Sequence, residues 1–300
     1  MNFSKILYLI IWFLKIKWLR KREPLQSVIF ISNLCNLCCK HCHVIESINP
    51  VMRSLEDIKT DLLYCYQQGS RFVDFEGGEP LLWRDGEKGI NDLIDLAKDI
   101  GFFSTTITTN AQFPFDHCKA DSIWVSMDGL CRFHDMLRGE GSFEKMEENI
   151  KKTDHPALNI NMVINVHNYV DVKDVIQYVE SSPYLKKIAL NFHTPYSTEM
   201  EDLFLPWKKR EETIDLIIRM KKKGYPVMNS ISGLKAMKKN NFPKHCWITN
   251  FILADGTRLT ECPGKNAGIC DRCGLCMAGE MYSVFTFKPD TALAGLKVRM

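Results

Sequence analysis

Residues 35–42 read Cys-Asn-Leu-Cys-Cys-Lys-His-Cys and constrain this chain more than any other stretch. They directly follow a Val- and Ile-rich run over residues 25–32 that predicts a strand. A cubane iron–sulfur cluster needs soft thiolate ligands on several irons, supplied by a loop that wraps one face of it. Cys35, Cys39 and Cys42, at x3 and x2 spacing, meet that need and leave one iron without a protein ligand, open to a substrate or cofactor. Cys38 allows a second reading, because Cys35/Cys38 and Cys39/Cys42 form two adjoining C-x-x-C pairs. Zinc pairs normally sit on separate knuckles with a spacer, and abutting pairs crowd a tetrahedral ion.

The remaining cysteines sharpen the point. Of twelve in 300 residues, four lie in residues 35–42 and five in residues 246–276. An oxidised secreted scaffold is shorter and begins with a cleavable signal. Clusters at two- and three-residue spacing in a large chain favour metal sites in a reducing compartment, so a cytoplasmic protein is expected. With 45% hydrophobic residues the chain can bury a full-sized core. No repeat of twenty to fifty residues runs along it. Cys65, Cys118 and Cys131 read as core or incidental thiols.

Charge is informative only once located. Residues 1–22 carry Lys5, Lys15, Lys17, Arg20, Lys21 and Arg22 and no acid, whereas the rest holds 33 basic and 36 acidic side chains. The body therefore shows no nucleic-acid footprint; Lys208-Lys209-Arg210 and Lys221-Lys222-Lys223 read as solvated surface. Residues 6–14 are an uninterrupted apolar run, too short as a helix to span a bilayer. The order of charge and apolar run is wrong for a signal peptide. With Trp12, Trp18 and the trailing cations, residues 1–23 suit an interfacial helix on an anionic membrane leaflet, a peripheral position on the inner face. Packing on the protein's own core or on a partner subunit is the alternative.

Strand and helix patterns alternate along residues 24–240. A helix starts at Ser54, with Asp57 three residues on, and stops at Gly69. A short strand over residues 71–76 ends at Gly77-Gly78-Glu79-Pro80. Further strands are expected near residues 102–108, 122–127, 158–166 and 185–192, with a long helix over 207–223. Such alternation implies βαβ units and a parallel sheet, either open and doubly wound or a partial barrel. In both, loops at the carboxyl ends of strands build the site. The first cysteine group, residues 77–80 and residues 126–129 all fall at such ends. After residue 240 the pattern changes to a short hairpin with cysteine turns, read as a separate small module over residues 241–300.

These residues resemble the radical S-adenosylmethionine (SAM) superfamily, whose signature C-x3-C-x-Φ-C follows the first strand of a partial (βα)6 TIM-like barrel. Here Φ is His41 where the family usually has an aromatic residue. The likeness continues in order through Gly77-Gly78-Glu79-Pro80, Thr108-Thr109-Asn110, Ser126-Met-Asp128-Gly129 and the segment from His134 to Phe143 that carries Arg138. It implies a SAM-binding [4Fe–4S] cluster on Cys35, Cys39 and Cys42, and a reductive cleavage of SAM to a 5′-deoxyadenosyl radical. By the same likeness His41, Gly77, Gly78, Glu79, Pro80, Thr109, Asn110, Ser126, Asp128 and Arg138 are expected around SAM. The glycines and Glu79 would hold the amino group, and Arg138 the carboxylate.

Cys246, Cys262, Cys270, Cys273 and Cys276 resemble the twitch or SPASM modules of many such enzymes, with Asp255-Gly256 turning the opening hairpin. The likeness implies one auxiliary [4Fe–4S] cluster on four of the five, the spare being Cys270 or Cys273. A structural zinc is the competing reading, since residues 270–273 are also a knuckle spacing. For the substrate, a lipid or isoprenoid is the first expectation, because the layout loosely resembles adenosylhopene transferase. A peptide- or protein-modifying maturase is the alternative. A non-catalytic zinc-binding protein is a third reading, which leaves residues 77–80 and Arg138 without a role. The expected electron donor is a flavodoxin or ferredoxin. His193 and Tyr196, at a late strand end, are read either as substrate contacts or as ordinary rim residues.

Overall fold

The structure is a computed structural model that describes residues 3–42 and 49–291; the first two residues of the predicted anchor and residues 292–300 of the predicted module lie outside these. In chain order come helix α1 (Phe3–Leu19), strand β1 (Gln26–Phe30), α2 (Leu55–Gln68), β2 (Phe72–Glu76), α3 (Ile90–Ile100), β3 (Ser104–Thr109) and β4 (Ser122–Ser126). Then follow α4 (Arg132–Arg138), α5 (Ser142–Lys151), β5 (Leu158–Ile164), α6 (Val172–Ser181), β6 (Lys187–Phe192), α7 (Trp207–Lys222) and α8 (Ile231–Lys239). The chain closes with β7 (Thr249–Ile252), β8 (Arg258–Leu259), α9 (Pro263–Asn266) and α10 (Cys276–Phe285). The caps of α2 are those the sequence predicts: Ser54 accepts from the Asp57 amide, and Gly69 takes a left-handed φ of 113°.

The sheet runs β6-β5-β4-β3-β2-β1-β7-β8. Strands β1 to β6 are parallel and spatially consecutive. A doubly wound sheet reverses its strand order at a switch point. None occurs here, so the six strands form the arc of a partial barrel. On the free edge of β1, β7 adds in parallel, with Gln26 opposite Thr249, and β8 pairs antiparallel with β7. Residues 249–259 of the expected C-terminal module thus extend the barrel sheet. The reason is physical: the first strand of an open barrel presents unpaired backbone groups that a further strand satisfies.

Burial along the strands alternates with period two, but the apolar face points outward. Val73 and Phe75 of β2, Ile107 of β3, and Ile123 and Val125 of β4 are fully buried under the helices. Their alternates, among them Asp74, Glu76, Thr106, Thr108, Trp124 and Ser126, line the barrel interior. A polar interior is a space for a ligand, not a packed core.

Helix α1 lies across the amino ends of the strands. Trp12 and Ile16 are buried with Ile248 and Phe285. Tyr8 donates to the Gly69 carbonyl at 2.7 Å, Trp12 Nε1 to that of Glu23 at 2.9 Å, and Lys5 to that of Phe103 at 2.8 Å. Packing on the protein's own core therefore accounts for one face. The other face exposes Ile6, Leu7, Ile10, Ile11 and Trp18. No described helix is long and apolar enough to cross a membrane.

Candidate functional site

The first cysteine loop is held by backbone contact with residues 77–79. Gly78 N–H donates to Ser32 O at 2.9 Å and Glu79 N–H to Leu34 O at 2.8 Å. A Cβ on Gly77 would sit 2.3 Å from Ser32 O, and one on Gly78 2.0 Å from Leu34 O. Only glycine permits this approach, so the pair positions the loop whatever else it touches. Within the loop, Lys40 N–H donates to Leu137 O and Cys42 N–H to Cys39 O. Cys35, Cys39 and Cys42 face one cavity, while Cys38 is exposed and does not line it. That separation favours the x3, x2 triplet over two zinc knuckles.

Two side-chain donors approach the sulfurs. Asn110 Nδ2 lies 3.7 Å from Cys35 Sγ, and Arg138 Nη1 lies 3.8 Å from Cys39 Sγ. Burial pushes the Cys39 thiol up to about 11, against the pull of Arg138. Arg138 Nε donates to Asp128 at 2.6 Å, His41 Nε2 stands 3.3 Å from the same oxygen, and Val163 N–H donates to the other at 2.8 Å. Burial alone would raise the Asp128 carboxyl, but the Arg138 guanidinium and then His41 hold it below the usual carboxylate range. The backbone N–H of Asp128 donates to His134 Nδ1 at 3.3 Å, and burial pushes that imidazole down to about 3, so it stays neutral.

The predicted SAM contacts divide into two sets. His41, Gly77, Gly78, Thr109, Asn110, Ser126 and Arg138 line the cavity together with the three cysteines. Glu79, Pro80 and Asp128 stand behind its wall. Glu79 is 1% exposed and its carboxylate is spent internally: it accepts from Thr109 Oγ1 at 2.7 Å, Asn110 N–H at 2.7 Å and Leu81 N–H at 3.0 Å. It braces the end of β2 against that of β3, and Pro80 starts a 3-10 turn beside it. Asp128 anchors Arg138.

The cavity encloses about 510 Å3 and runs from the first cysteine group along the inner faces of the strands to Cys262, Leu275 and Met277. Glu76 points into it beside Asp74, which accepts from Gln26. Burial, and then Asp74, push the Glu76 carboxyl up to about 7; the Thr108 hydroxyl reaches it only at 3.5 Å. The sequence reading of residues 71–76 as a strand does not single out these two acids. Their alternation with Val73 and Phe75 was the available signal.

The second cysteine group closes the other end of the cavity. Gly274 docks its loop on the end of β6: Phe192 N–H donates to Gly274 O at 2.9 Å, Gly274 N–H donates to Thr194 Oγ1 at 2.9 Å, and a Cβ would lie 1.8 Å from Phe192 O. Cys246, Cys262, Cys270 and Cys273 line one apolar pocket of about 80 Å3. Cys276 is the thiol left out, where the sequence suggested Cys270 or Cys273. It lies in the main core at 2% exposure, its N–H on Asn191 Oδ1. A hydrogen bond from the Cys246 thiol holds Cys262 down to about 6 and Cys246 correspondingly up. Among the described residues no three Cys, His, Asp or Glu side chains converge on one ion-sized point. The thiols line a space.

Three other residues differ from, or refine, the sequence reading. His193 is buried, with Nε2 3.0 Å from Met200 O, and borders the cavity. Tyr196 reaches both spaces and hydrogen-bonds Cys262. Arg210, grouped with Lys208 and Lys209 as solvated surface, is 1% exposed, because its helix position turns it under Phe192 and Trp207.

Comparison with known proteins agrees with this arrangement. A family model described as the Radical SAM superfamily matches residues 29–179. A probable GTP 3′,8-cyclase from Methanocella arvoryzae is 24% identical over 82% of this chain and 84% of that protein. The sporulation killing factor maturation protein SkfB of Bacillus subtilis is 27% identical over 51% of this chain, which spans 39% of SkfB. Among solved structures, Streptococcus suis SuiB bound to its precursor peptide SuiA superposes with a TM-score of 0.66 at 15% identity, covering 97% of this chain and 72% of SuiB. At that identity the superposition speaks for the fold alone.

Proposed function

The chain belongs to the radical SAM superfamily, and on that premise we propose that it is a peptide- or protein-modifying enzyme with a second, auxiliary iron–sulfur site. The superfamily implies a [4Fe–4S] cluster and SAM, which when bound supply a one-electron cleavage yielding a 5′-deoxyadenosyl radical. Cys35, Cys39 and Cys42 are the residues to hold that cluster, and the sulfur-directed donors of Asn110 and Arg138 fit an anionic occupant. Arg138 keeps further guanidinium donors for the SAM carboxylate while Asp128 fixes its plane. Glu79 orders the Asn110 amide, leaving backbone of residues 77–79 and the side chains of Thr109 and Asn110 as SAM contacts. Cys246, Cys262, Cys270 and Cys273 are the proposed auxiliary ligands. A zinc-binding protein without catalysis would give none of the cavity wall a task.

One observation carries the substrate class. Among the described residues the cavity wall presents Asp74 and Glu76, and its cationic side chains, apart from histidines, reduce to Arg138, already bound to Asp128. A nucleoside triphosphate would meet acid where it needs base, so the cyclase relatives' nucleotide chemistry fits poorly here. A peptide side chain entering between two cysteine groups fits; SkfB is named a maturation protein, and SuiB, alike in fold, is seen bound to a precursor peptide. An electron donor of the flavodoxin or ferredoxin type completes the proposal. The exposed face of α1 keeps an interfacial membrane position within it, with the cavity rim at the opposite end of the strands. Deleting residues 1–22 would confound that point, because Trp12 and Ile16 are core; Ile6→Lys with Ile10→Lys, scored by vesicle flotation, tests it.

The substrate test compares 5′-deoxyadenosine release by reconstituted enzyme with SAM and dithionite, alone, with a synthetic peptide library, or with GTP. Stimulation by peptides and none by GTP is expected. Conversion of GTP to a cyclised product would overturn the substrate class.

A further inference from the structure

We propose that the buried guanidinium of Arg210 is the counter-charge to an iron–sulfur cluster in the second cysteine group and raises its reduction potential. This rests on the reading of Cys246, Cys262, Cys270 and Cys273 as cluster ligands. Arg210 sits in the first turn of α7, between exposed neighbours, yet is 1% exposed itself. Its planar head lies 4.7 Å from the Phe192 ring centre and 4.8 Å from that of Trp207. One nitrogen, Nη2, donates to the Cys273 carbonyl at 2.8 Å. Nε and Nη1 are buried without a hydrogen-bond partner.

Among the described residues no carboxylate pairs with this cation. The ionisable groups whose charge bears on it are the Cys276 and Cys273 thiols. An unpaired buried charge is costly, and aromatic faces recover only part of that cost. A full positive charge against the backbone of Cys273, whose thiol lines the second pocket, is matched by an anion held in that pocket. Four thiolates on a [4Fe–4S] cube make that anion, and one-electron reduction makes it more negative. A nearby cation therefore stabilises the reduced form more than the oxidised form. Burial leaves its field little screened by salt. Arg210 acts through the cluster and is a positioning and tuning residue, not a catalytic one.

The test uses the full chain with Cys35, Cys39 and Cys42 changed to Ala, reconstituted anaerobically with iron and sulfide, so that only the second group can hold a cluster. A redox titration with dithionite, followed by electron paramagnetic resonance, gives the midpoint of this parent and of its Arg210→Met, Arg210→Gln and Arg210→Lys versions. The expected result is a midpoint shifted negative in the two neutral variants and largely restored in Arg210→Lys. Cluster loss in the neutral variants with retention in Arg210→Lys also supports the counter-charge role. An unchanged midpoint in either folded neutral variant overturns it, as does cluster loss in all three variants, which would assign Arg210 to packing. A parent that binds no cluster removes the auxiliary reading itself, a result seen before any Arg210 variant is made.

Discussion

The two cysteine loops are docked alike and furnished differently. Each is pinned to a strand end by glycine backbone too close for a Cβ, Gly77 and Gly78 for the first and Gly274 for the second. The first presents three thiols to a cavity of about 510 Å3, with Asn110 and Arg138 beside the sulfurs on the same wall. The second gathers four thiols around an apolar pocket of about 80 Å3, backed by Arg210. Three thiols on an open wall would leave room for a bound cofactor; four in an apolar pocket would saturate the cluster proposed for them. Docking fixes where a loop sits, and thiol count with local polarity decides what it can do.

The largest expected effect comes from breaking the docking one side at a time. Gly78→Ala places a methyl 2.0 Å from Leu34 O, and Gly274→Ala places one 1.8 Å from Phe192 O. Each is expected to cost about 1–3 kcal/mol or displace its loop. Gly78→Ala should abolish SAM cleavage and keep the second cluster's signal, with Gly274→Ala giving the reverse pattern of signals. Iron analysis and electron paramagnetic resonance of the reconstituted variants check this; loss of both signals in both variants would mean the loops are not independent.

A second prediction separates neighbouring thiols. Cys270→Ser should lose the auxiliary cluster's iron, whereas Cys276→Ser should retain it, since Cys276 lies in the core outside the pocket. Equal losses from both would assign Cys276 as a ligand.

The smallest effect concerns the cavity between the loops. Glu76 has its carboxyl raised to about 7 in the fold, so below the ordinary carboxylate range both states are protonated and it costs nothing. As pH rises past that range toward 7, the unfolded chain ionises first and the fold loses stability. Glu76→Gln should therefore raise the thermal midpoint modestly at pH 8 and change it little at pH 4. A pH-independent difference would contradict the assignment of burial and Asp74 as its cause.

Much of the fold was legible. The α2 caps, the strand-end positions of residues 35–42 and 77–80, and the alternation of strands with helices follow from local chemistry. The barrel itself came by resemblance, since periodicity left a doubly wound sheet open. What stayed hidden depended on distant pairing. Nothing local tells that β7 joins β1, with Thr249 opposite Gln26 from the far end of the chain. Nor does Lys208-Lys209-Arg210 show that only its last member turns inward. Glu79 is expected to face SAM by resemblance to the superfamily's motif; only the fold shows Thr109 and Asn110 claiming its oxygens. Polar alternates in β2 and β3 were visible, but their facing an open interior needs the curvature of the sheet.

The most direct measurement is 5′-deoxyadenosine, quantified by liquid chromatography and mass spectrometry after anaerobic reconstitution, reduction with dithionite and addition of SAM. The full chain is compared with its Cys35/Cys39/Cys42→Ala variant and with Cys38→Ala. Product from the full chain and from Cys38→Ala, and none from the triple variant, is the predicted result. Product from the triple variant, or none from Cys38→Ala, would contradict the assignment of the first cysteine loop.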